Sequence, residues 1–311
     1  MKIIRHLDRI PPELRGGALA IGNFDGVHRG HARLVERLID HARRLQGRSI
    51  VFTFDPHPVR LLRPASAPPP LTWTDRKAQL LAALGLEAMI VYPTDEALLA
   101  LGPREFFDHI VRDKLDARAM VEGQNFFFGH DRQGTIDVLR RLTAEVSMPL
   151  EVVPPIEIDG QVVSSSLVRS LISAGEVDHA RRLLTEPYRI RGMVTHGAGR
   201  GNRIGFPTAN VDAIDTLLPG LGVYAGRAYV TGGRWPAAIN VGPNPTFGVH
   251  TLKVEVHLIG FDRPLYGEAL EVDFLSRLRD IQTFDSVEAL KRQLREDVAA
   301  ALALQPPVPS P

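Results

Sequence analysis

Residues 16–31 carry the strongest structural signal of the chain, Gly16-Gly17-Ala18-Leu19-Ala20-Ile21 followed by Gly22-Asn23-Phe24-Asp25-Gly26-Val27-His28-Arg29-Gly30-His31. The first part predicts a buried strand, and the second predicts a glycine-punctuated turn that leads into a helix. Backbone N–H groups in such a turn can approach a polyphosphate, and the helix N-terminus adds unpaired donors and a favourable dipole. The stretch therefore predicts a phosphate site.

Two histidines lie in this turn. His28 and His31 are three residues apart, so they share one helix face if the helix has begun by residue 28. Such a pair suits nucleotidyl transfer, in which positioned donors stabilise the charge that gathers on the α-phosphate of ATP. Two other interpretations stay open: a helix-capping histidine pair, and half of a zinc site, which the lack of cysteine disfavours.

Length and composition limit the class of protein. The 311 residues suit two domains, and an apolar content of 44% gives each of them a core. Lys and Arg number 37 against 36 Asp and Glu, so the net charge of +1 offers no general attraction to nucleic acid or to an anionic membrane. The chain also lacks cysteine, an apolar run of bilayer length and a signal-peptide pattern. We therefore expect a cytoplasmic protein with neither nucleic-acid nor membrane partners.

The first half alternates short apolar runs with amphipathic segments. Strands are predicted at 18–21, 49–54, 88–92 and 119–121, with helices near 29–45, 76–84 and 103–114. This alternation predicts an α/β domain with a parallel sheet and helices on both faces. Ligands bind at the carboxyl ends of such strands, where Gly22 to His31 would lie.

The second half has a different sequence pattern. After a helical stretch that ends near Leu184, short strands broken by Gly and Pro predict a small antiparallel sandwich or barrel, with strands at 188–194, 222–230, 237–241, 252–259 and 269–274. An amphipathic helix at 286–302 closes the domain, with Val287, Leu290, Leu294 and Val298 on one face. A boundary near Pro187 gives domains 1–186 and 187–304, and the proline-rich tail 305–311 is predicted to be disordered.

Three further motifs of the first domain carry candidate chemistry. Asp55-Pro56-His57-Pro58 is either a rigid surface turn or a turn that directs His57 into the predicted ligand cleft at the carboxyl ends of the strands. The segment 123–134 places Phe126, Phe127 and Phe128 between glycines, where flat side chains could pack on a planar ring while Asn125 and Arg132 make polar contacts. Three consecutive aromatics cannot face one pocket, so at least one belongs to the core. Ser164 to Arg169 opens a helix, either as a phosphate site or as an N-cap with a solvated arginine.

In the second domain, residues 192–210 join a strand to a glycine-rich loop that ends in Gly205-Phe206-Pro207-Thr208-Ala209-Asn210. Thr208 and Asn210 offer oxygens for a Mg-nucleotide, although the loop alone could be an ordinary connection. Apolar residues at 254, 256 and 258 alternate with Glu255 and His257, so Glu255 is expected on the opposite face, where it could take a proton from a hydroxyl or simply be solvated.

These motifs, in this order, resemble the bacterial bifunctional riboflavin kinase/FAD synthetase family from the first strand to the final helix. The matching stretches are 22–31, 55–58, 164–169, 205–210, Gly222-Val223-Tyr224-Ala225, 239–242 with Pro245-Thr246-Phe247, and 255–257. The resemblance implies a nucleotidyltransferase-type domain that joins FMN to the AMP of ATP. It also implies a barrel that phosphorylates riboflavin, with ATP as co-substrate and Mg²⁺ in both reactions.

The resemblance also implies roles for individual residues. His28 and His31 would be catalytic in adenylyl transfer, and Glu255 would be the base of the kinase. Thr208 and Asn210 would hold the metal. The implied partners are riboflavin, FMN, FAD and ATP, and self-association stays open. The remaining implied sites are ATP-binding residues Gly22, Asn23, Phe24, Asp25, Gly26, Ser165 and Arg169, flavin-binding residues Asn125, Phe126, Phe128 and Arg279, and kinase nucleotide-binding residues Gly197, Gly205 and Pro207.

Five positions depart from the family pattern. Asn125 stands where an aspartate is frequent, Phe127 where a basic residue is frequent, and Leu167 where an arginine is frequent, which leaves Arg169 as the cation of its motif. Ile281 and Thr283 stand where acidic and basic residues are common, so the flavin rim is expected to differ. The alternatives are a kinase without adenylyl transfer and a non-catalytic flavin-binding module. The intact Thr208, Asn210 and Glu255 argue for a retained kinase.

Overall fold

A computed structural model describes residues 1–7, 10–197, 199–243 and 252–304. The chain forms two compact units: the first contains Met1–Pro68 and Thr74–Ser164, and the second contains Pro69–Trp73 and the chain from Ser165 onward. The sequence places the domain boundary near Pro187, whereas the compact units divide at Ser164. The predicted tail 305–311 and the family stretch 245–247 lie outside the described residues.

The first unit is built on a six-stranded sheet with the order β1-β4-β3-β2-β5-β6, in which every pair is parallel. The predicted parallel sheet is therefore confirmed. The short strands β1 and β6 were not predicted. The strands are β1 Lys2–Ile4, β2 Ala18–Ile21, β3 Ser49–Phe54, β4 Ala88–Tyr92, β5 Ala119–Gly123 and β6 Leu150–Val153, with a small hairpin of β7 Glu157–Ile158 and β8 Gln161–Val162.

Strand β2 is buried on both faces because helices cover the sheet on both sides. Ala18 and Ala20 belong to one core cluster, and Leu19 and Ile21 belong to the other. The predicted helix at 103–114 begins as an α-helix and continues as a π-helix. The helices are α1 Arg29–Arg44, α2 Pro58–Leu62, α3 Thr74–Ala83, α4 Glu96–Ala100, α5 Pro103–Phe106, the π-helix Phe107–Lys114 and α6 Ile136–Glu145, with 3-10 turns at Pro12–Leu14, Pro64–Ser66 and His130–Arg132.

The strand order of this sheet reverses between β2 and β5. From β2 the chain continues through β3 and β4 on one side, while β5 and β6 lie on the other. Two crossover connections leave such a point in opposite directions and open a crevice at the carboxyl ends of the strands. The turn that starts at Gly22 lies at this point, directly after β2.

The second unit is a closed antiparallel barrel with the order β10-β13-β12-β11-β14-β9. The predicted β domain is therefore a barrel and not a sandwich. Its strands are β9 Tyr188–Thr195, β10 Ala209–Asp212, β11 Gly222–Val230, β12 Gly233–Pro243, β13 Leu252–Leu258 and β14 Ala269–Arg279, and its helices are α7 Ser165–Ser173, α8 Val177–Leu183, α9 Arg200–Arg203 and α10 Val287–Ala303. Within the part of the chain that the structure describes, no helix combines the length and apolar character needed to cross a membrane.

The segment Pro69–Trp73 joins the second unit from the first half of the sequence. Leu217 donates its backbone N–H to the Pro70 carbonyl over 2.9 Å, and the Arg191 guanidinium lies 4.9 Å from the centre of the Trp73 ring. These contacts add a short piece of remote sequence to the barrel unit.

Helix α10 begins after Ser286, whose hydroxyl accepts the Ala289 N–H over 3.1 Å. Leu290, Leu294 and Val298 face a cavity of the barrel unit. Val287, predicted on the same face, is 50% exposed. The helix therefore turns its apolar face to the unit only after its first turn.

A buried ion pair links β9 to β14. The Asp273 carboxylate, which is 1% exposed, accepts hydrogen bonds from Arg189 Nε and Nη2 and from the Tyr229 hydroxyl. The Arg189 guanidinium also lies 3.8 Å from the centre of the Tyr229 ring. Arg189 Nη1 also donates to the half-buried Glu271 carboxylate over 2.9 Å, so loss of Asp273 would leave the Arg189 charge with this more exposed partner.

We expect Asp273→Ala to lower the free energy of unfolding of the barrel unit by about 1–3 kcal/mol, because Arg189 Nε and Nη2 lose their buried acceptor while Nη1 keeps Glu271. Asp215→Ala is the matched control, since Asp215 pairs with Arg191 of the same strand at an exposed position. An exposed pair contributes about 0–1 kcal/mol. Denaturant unfolding of both variants and the wild type measures the difference, and equal losses in the two variants would contradict the expectation.

Candidate functional site

The turn after β2 has an unusual backbone. Phe24 and Val27 have φ angles of 47° and 40°, and Gly26 lies between them at 82°. A positive φ is rare for a bulky residue and still rarer for a β-branched one. Both side chains are almost completely buried, which holds the turn in this conformation. Backbone strain of this kind is typical of ligand-binding turns, and here it wraps the chain from Gly22 to His28 around the end of the strand.

His28 caps α1 and does not lie inside it. Its backbone is extended, and its Nδ1 accepts the His31 N–H over 3.3 Å. The two imidazole rings stack with their centroids 3.6 Å apart. Gly30 makes this possible, because a Cβ there would lie 3.1 Å from the His28 ring. The rings are thus brought together by the capping bond of His28 and not by a shared helix face, and the phosphate site stays a prediction.

The chemistry of the pair depends on burial. The Nδ1 atom of His31 and the Oδ1 atom of Asn23 are buried and have no hydrogen-bond partner among the described residues. Burial, together with His28 and Lys77, lowers the pKa of His31 well below its ordinary value of 6.5. His31 is therefore neutral at neutral pH. Buried polar atoms are normally paired, so these two are suited to a polar ligand.

A cavity of about 250 Å³ opens at this point of the sheet. Predicted site residues in its wall come from the turn, from α1 and from the segment after β5, while Asp25, Gly26 and Phe128 are not among its lining residues. The predicted site residues in the wall are Gly22, Asn23, Phe24, His28, His31, Asn125 and Phe126.

The three consecutive phenylalanines have three different environments. Phe126 lines the cavity, Phe128 is buried in the core, and their rings stack at 5.4 Å. Phe127 is 44% exposed, and the Arg132 guanidinium lies 4.5 Å from the centre of its ring. At least one aromatic was predicted to be core, and Phe128 is that residue. Arg132 also brings a cation to the position where Phe127 departs from the family pattern.

The remaining motifs of the first half lie elsewhere. His57 caps α2, and its Nδ1 accepts the Val59 N–H over 3.1 Å. Ser164 lines the cavity of the first unit, whereas Ser165 and Arg169 are part of α7 and belong to the second unit. Within that unit, Arg169 Nε donates to the Pro69 carbonyl over 3.1 Å.

Sequence reasoning missed two buried ionisable residues near the turn. Lys77 Nζ donates to Thr53 Oγ1 over 3.3 Å, and Thr53 Oγ1 donates to the Asn23 carbonyl over 3.2 Å. Burial lowers the pKa of Lys77, although Asp25 and Asp55 oppose the shift. Glu122 accepts the Ile21 N–H over 2.8 Å, and burial raises the pKa of its carboxyl well above the ordinary 4.5. The available sequence signal for a buried site residue was a charged side chain in an apolar setting, Lys77 on the apolar face of α3 and Glu122 near the end of the apolar strand β5.

In the barrel unit, the strand registers bring polar residues into one row. Asn210 of β10 lies opposite Glu255 of β13, and Glu255 lies opposite Asn240 of β12. Paired residues in adjacent strands point to the same face of a sheet. The row continues in both directions, from Asn210 to Thr195 and from Asn240 through Val223 to Arg279.

This row forms one wall of a cavity of about 610 Å³. Thr208, Asn210, Asn240, Glu255 and Arg279 all line it, as do Lys253 and Ile281, whereas Gly197, Gly205 and Pro207 are not among its lining residues. On β13, Val254, Val256 and Leu258 are buried while Glu255 faces the cavity, so the predicted alternation is confirmed.

Two charged groups in this cavity have partners. Glu255 accepts from Lys253 Nζ over 2.7 Å and from Asn240 Nδ2 over 3.3 Å. Arg279 makes a forked ion pair with the buried Asp297 of α10, with an Nη2–Oδ2 distance of 2.8 Å. Asn240 and Lys253 were not predicted as site residues. The feature that identifies them is their position on strands β12 and β13, next to Glu255.

The donor set around Asn210 fits a hard divalent cation. Asn210 is buried, and within the described residues its Oδ1 accepts no hydrogen bond. The Asn210 amide packs against the backbone of Gly197, where a Cβ would overlap it. Amide and hydroxyl oxygens, such as those of Asn210 and Thr208, are ligands that Mg²⁺ accepts beside nucleotide phosphates. No three His, Cys, Asp or Glu side chains among the described residues group in a way that would hold a metal.

Comparison with known proteins gives one family for each half of the chain. A family model described as FAD synthetase matches residues 10–167, and one described as riboflavin kinase matches residues 184–305. A "Bifunctional riboflavin kinase/FMN adenylyltransferase" of Pseudomonas fluorescens is 38% identical over 308 residues, covering 99% of each chain. Proteins of the same name from Escherichia coli K12 and Bacillus subtilis 168 are 33% and 31% identical and cover 97% and 94% of each chain.

A solved structure has the same fold over nearly the whole chain. It is described as a "Macrolide-efflux Protein from Streptococcus pneumoniae" and matches with a TM-score of 0.86 and 30% identity, covering 97% of this chain and 99% of that one. Its name refers to efflux, whereas the curated relatives are named for flavin enzymes. The likeness to it supports the fold of both units.

The buried His31 predicts a loss of stability in acid. Because its pKa is lowered in the folded state, the unfolded chain takes up a proton near pH 6.5 while the folded chain does not. The contribution of His31 to the free energy of unfolding is therefore constant above that pH and decreases as the pH falls below it. His31→Asn should reduce this acid-side loss, measured by thermal unfolding across mildly acidic pH. His130→Asn makes the same change at an exposed position, and an unchanged pH slope in His31→Asn would contradict the expectation.

Proposed function

The chain belongs to the bifunctional riboflavin kinase/FMN adenylyltransferase family, and on that premise we propose which residues carry each of its two reactions. It phosphorylates riboflavin to FMN with ATP, and it adenylylates FMN to FAD with release of pyrophosphate. Because both family models match, the alternatives of a kinase alone and of a non-catalytic flavin-binding module are disfavoured.

We assign adenylyl transfer to residues 1–186 and the kinase to residues 187–304. The family matches at 10–167 and 184–305 support this division. Helix α8 and all but the first turn of α7 lie in the interval between these matches, and both helices belong by their contacts to the second unit. A cytoplasmic location is part of the same proposal and is supported by the cysteine-free composition.

In adenylyl transfer, an oxygen of the FMN phosphate attacks the α-phosphorus of ATP, and the bond from that phosphorus to the bridging oxygen of pyrophosphate breaks. The turn residues Gly22 to Phe24 line the cavity, and the side-chain amide of Asn23 would bind the phosphates. The His28 and His31 rings would stabilise charge on the α-phosphate. The buried Nδ1 atom of His31, which has no hydrogen-bond partner among the described residues, supports this assignment.

The flavin side of the first reaction would use the segment after β5. Asn125 and Phe126 line the same cavity as the histidines, which supports their contact with FMN. Phe128 would act from the core by stacking on Phe126. The Arg132 guanidinium over the Phe127 ring offers the cation that position 127 lacks.

In the kinase reaction, Glu255 would accept the proton of the riboflavin 5′-hydroxyl while the hydroxyl oxygen attacks the γ-phosphorus of ATP and ADP leaves. The observation that carries this proposal is the row Asn210, Glu255 and Asn240 on three adjacent strands. It places a carboxylate directly beside the predicted metal ligand. Lys253 and Asn240 would hold the Glu255 carboxylate in position.

Thr208 and Asn210 would hold Mg²⁺, and Gly197, Gly205 and Pro207 would shape the loop around the nucleotide. When bound, the metal neutralises charge on the β- and γ-phosphates. Arg279 would bind the flavin from the opposite end of the row, fixed in place by Asp297. Ile281 lines the same cavity, so a departure from the family pattern lies at the flavin rim.

Incubation with riboflavin and Mg-ATP tests both reactions in one time course, with riboflavin, FMN and FAD separated by chromatography. We expect FMN to appear first and FAD to follow.

Glu255→Gln should slow phosphorylation of riboflavin by about 10²-fold or more, because the general base is lost, and still convert supplied FMN to FAD. His31→Asn should do the reverse, with FMN accumulating and FAD formation reduced by about 10²-fold. A variant that loses both reactions together would contradict the assignment of one reaction to each unit.

Gly197→Ala tests the position of Asn210. The added Cβ would overlap the Asn210 amide, so we expect kinase activity to fall on the order of 10²-fold and the Mg²⁺ requirement to rise. Gly260→Ala is the matched control, because Gly260 has a φ of 79° and nothing lies within 4 Å of an added Cβ. Its cost is backbone strain of about 1 kcal/mol without displacement of Asn210. Normal Mg²⁺ dependence in Gly197→Ala would exclude Asn210 as a metal ligand.

A further inference from the structure

The carboxyl group of Glu122 lies in the crevice where β2 and β5 part. Backbone pairing between these strands is limited to Ala18 with Ala119 and Leu19 with Met120. Two residues farther along, the Ile21 N–H donates to Glu122 Oε1 over 2.8 Å. A side chain thus replaces the backbone acceptor that a continued ladder would supply, and the strands separate around it.

Glu122 is 1% exposed and lines the same cavity as Asn23, His28 and His31. The Ile21 N–H is its one hydrogen-bond partner among the described residues. An amide or hydroxyl side chain could accept from Ile21 without the cost of burying an acid. In its neutral form a carboxylic acid, like an amide, offers an acceptor for the Ile21 N–H and a donor for a second group.

We propose that Glu122 is a positioning residue of the adenylyl-transfer site, which acts as a neutral carboxylic acid and donates its O–H to an acceptor oxygen of the bound ATP while it accepts the Ile21 N–H. This inference rests on the proposed function of the first unit. The location supports it, because the crevice at a point of strand-order reversal is where such sheets bind nucleotides. In its ionised form, Glu122 would place a negative charge in the cavity that receives the triphosphate.

Burial, and not a neighbouring charged group, is the dominant influence on the pKa of the Glu122 carboxyl. Burial raises the pKa of the carboxyl, and the Ile21 N–H opposes the shift. Strand β2 carries no ionisable side chain. His28 and His31, from the turn and α1, share the cavity. On β6, Glu151 is held by Arg37 and His41 of α1. The neutral acid therefore persists to higher pH than an ordinary glutamic acid.

The test measures kcat and the KM for ATP in FMN adenylylation by the full chain, at saturating FMN and Mg²⁺, from neutral to alkaline pH. In the wild type the KM for ATP should rise toward alkaline pH. Glu122→Gln keeps one acceptor and one donor but cannot ionise, so its KM should stay within about twofold of the wild-type neutral value at every pH. Glu122→Met removes the donor and should raise the KM about tenfold at all pH values with kcat nearly unchanged.

Two controls separate positioning from folding. Riboflavin phosphorylation by the same polypeptide reports on the second unit, so it normalises the amount of intact enzyme. Glu151→Gln removes a carboxylate from the neighbouring strand outside the cavity and should keep the alkaline rise in KM. A partly unfolded first unit lowers kcat without changing the KM.

The proposal is overturned if Glu122→Gln retains the wild-type alkaline rise, or if Glu122→Met keeps the wild-type KM or loses only kcat. If Glu122→Met does not fold, the pH profile of Glu122→Gln decides by itself. FAD formation by the wild-type chain tests the proposed function separately, because that result does not depend on either Glu122 variant.

Discussion

The separation of two parallel strands, β2 and β5, organises the first unit. Their backbone pairing ends after Leu19 and Met120, and the buried carboxyl of Glu122 satisfies the Ile21 N–H where the ladder stops. The rest of the site in this unit depends on this opening. The strained turn from Gly22 to His28 closes over it, and the histidine rings stack at its mouth because His28 caps α1. A side-chain hydrogen bond that replaces a backbone bond between two interior strands thus also defines the site.

The barrel unit forms its site in a different way. A closed barrel has no crevice between strands, so its site lies on a face, where cross-strand register sets which side chains meet. Asn210, Glu255 and Asn240 become neighbours because β10, β13 and β12 are adjacent, although 45 positions separate Asn210 from Glu255 in the numbering. Helix α10 then supplies the opposing apolar wall through Leu290, Leu294 and Val298.

Local patterns were sufficient for much of the fold. The strands at 18–21, 49–54 and 88–92 have their predicted bounds because each is a short apolar run between turn or helix signals, and Val254 to Leu258 alternate as expected. The sequence pattern does not predict strand β10, because its four residues are half polar and gain their order from β9 and β13. Lys77, Glu122 and Lys253 could not be placed in a site from sequence. Burial of a charge and proximity across strands are tertiary facts that leave no local periodicity.

The segment Pro69–Trp73 has a consequence for how far this chain can be divided. It is part of the second unit, yet it comes before β4, β5 and β6 of the first. No single cut therefore yields both units whole: a fragment from residue 165 onward lacks the Pro70 carbonyl that Leu217 uses and the Trp73 ring beneath Arg191. The two units are interleaved along the polypeptide. Truncation, circular permutation or exchange of halves between homologues must carry this five-residue piece along.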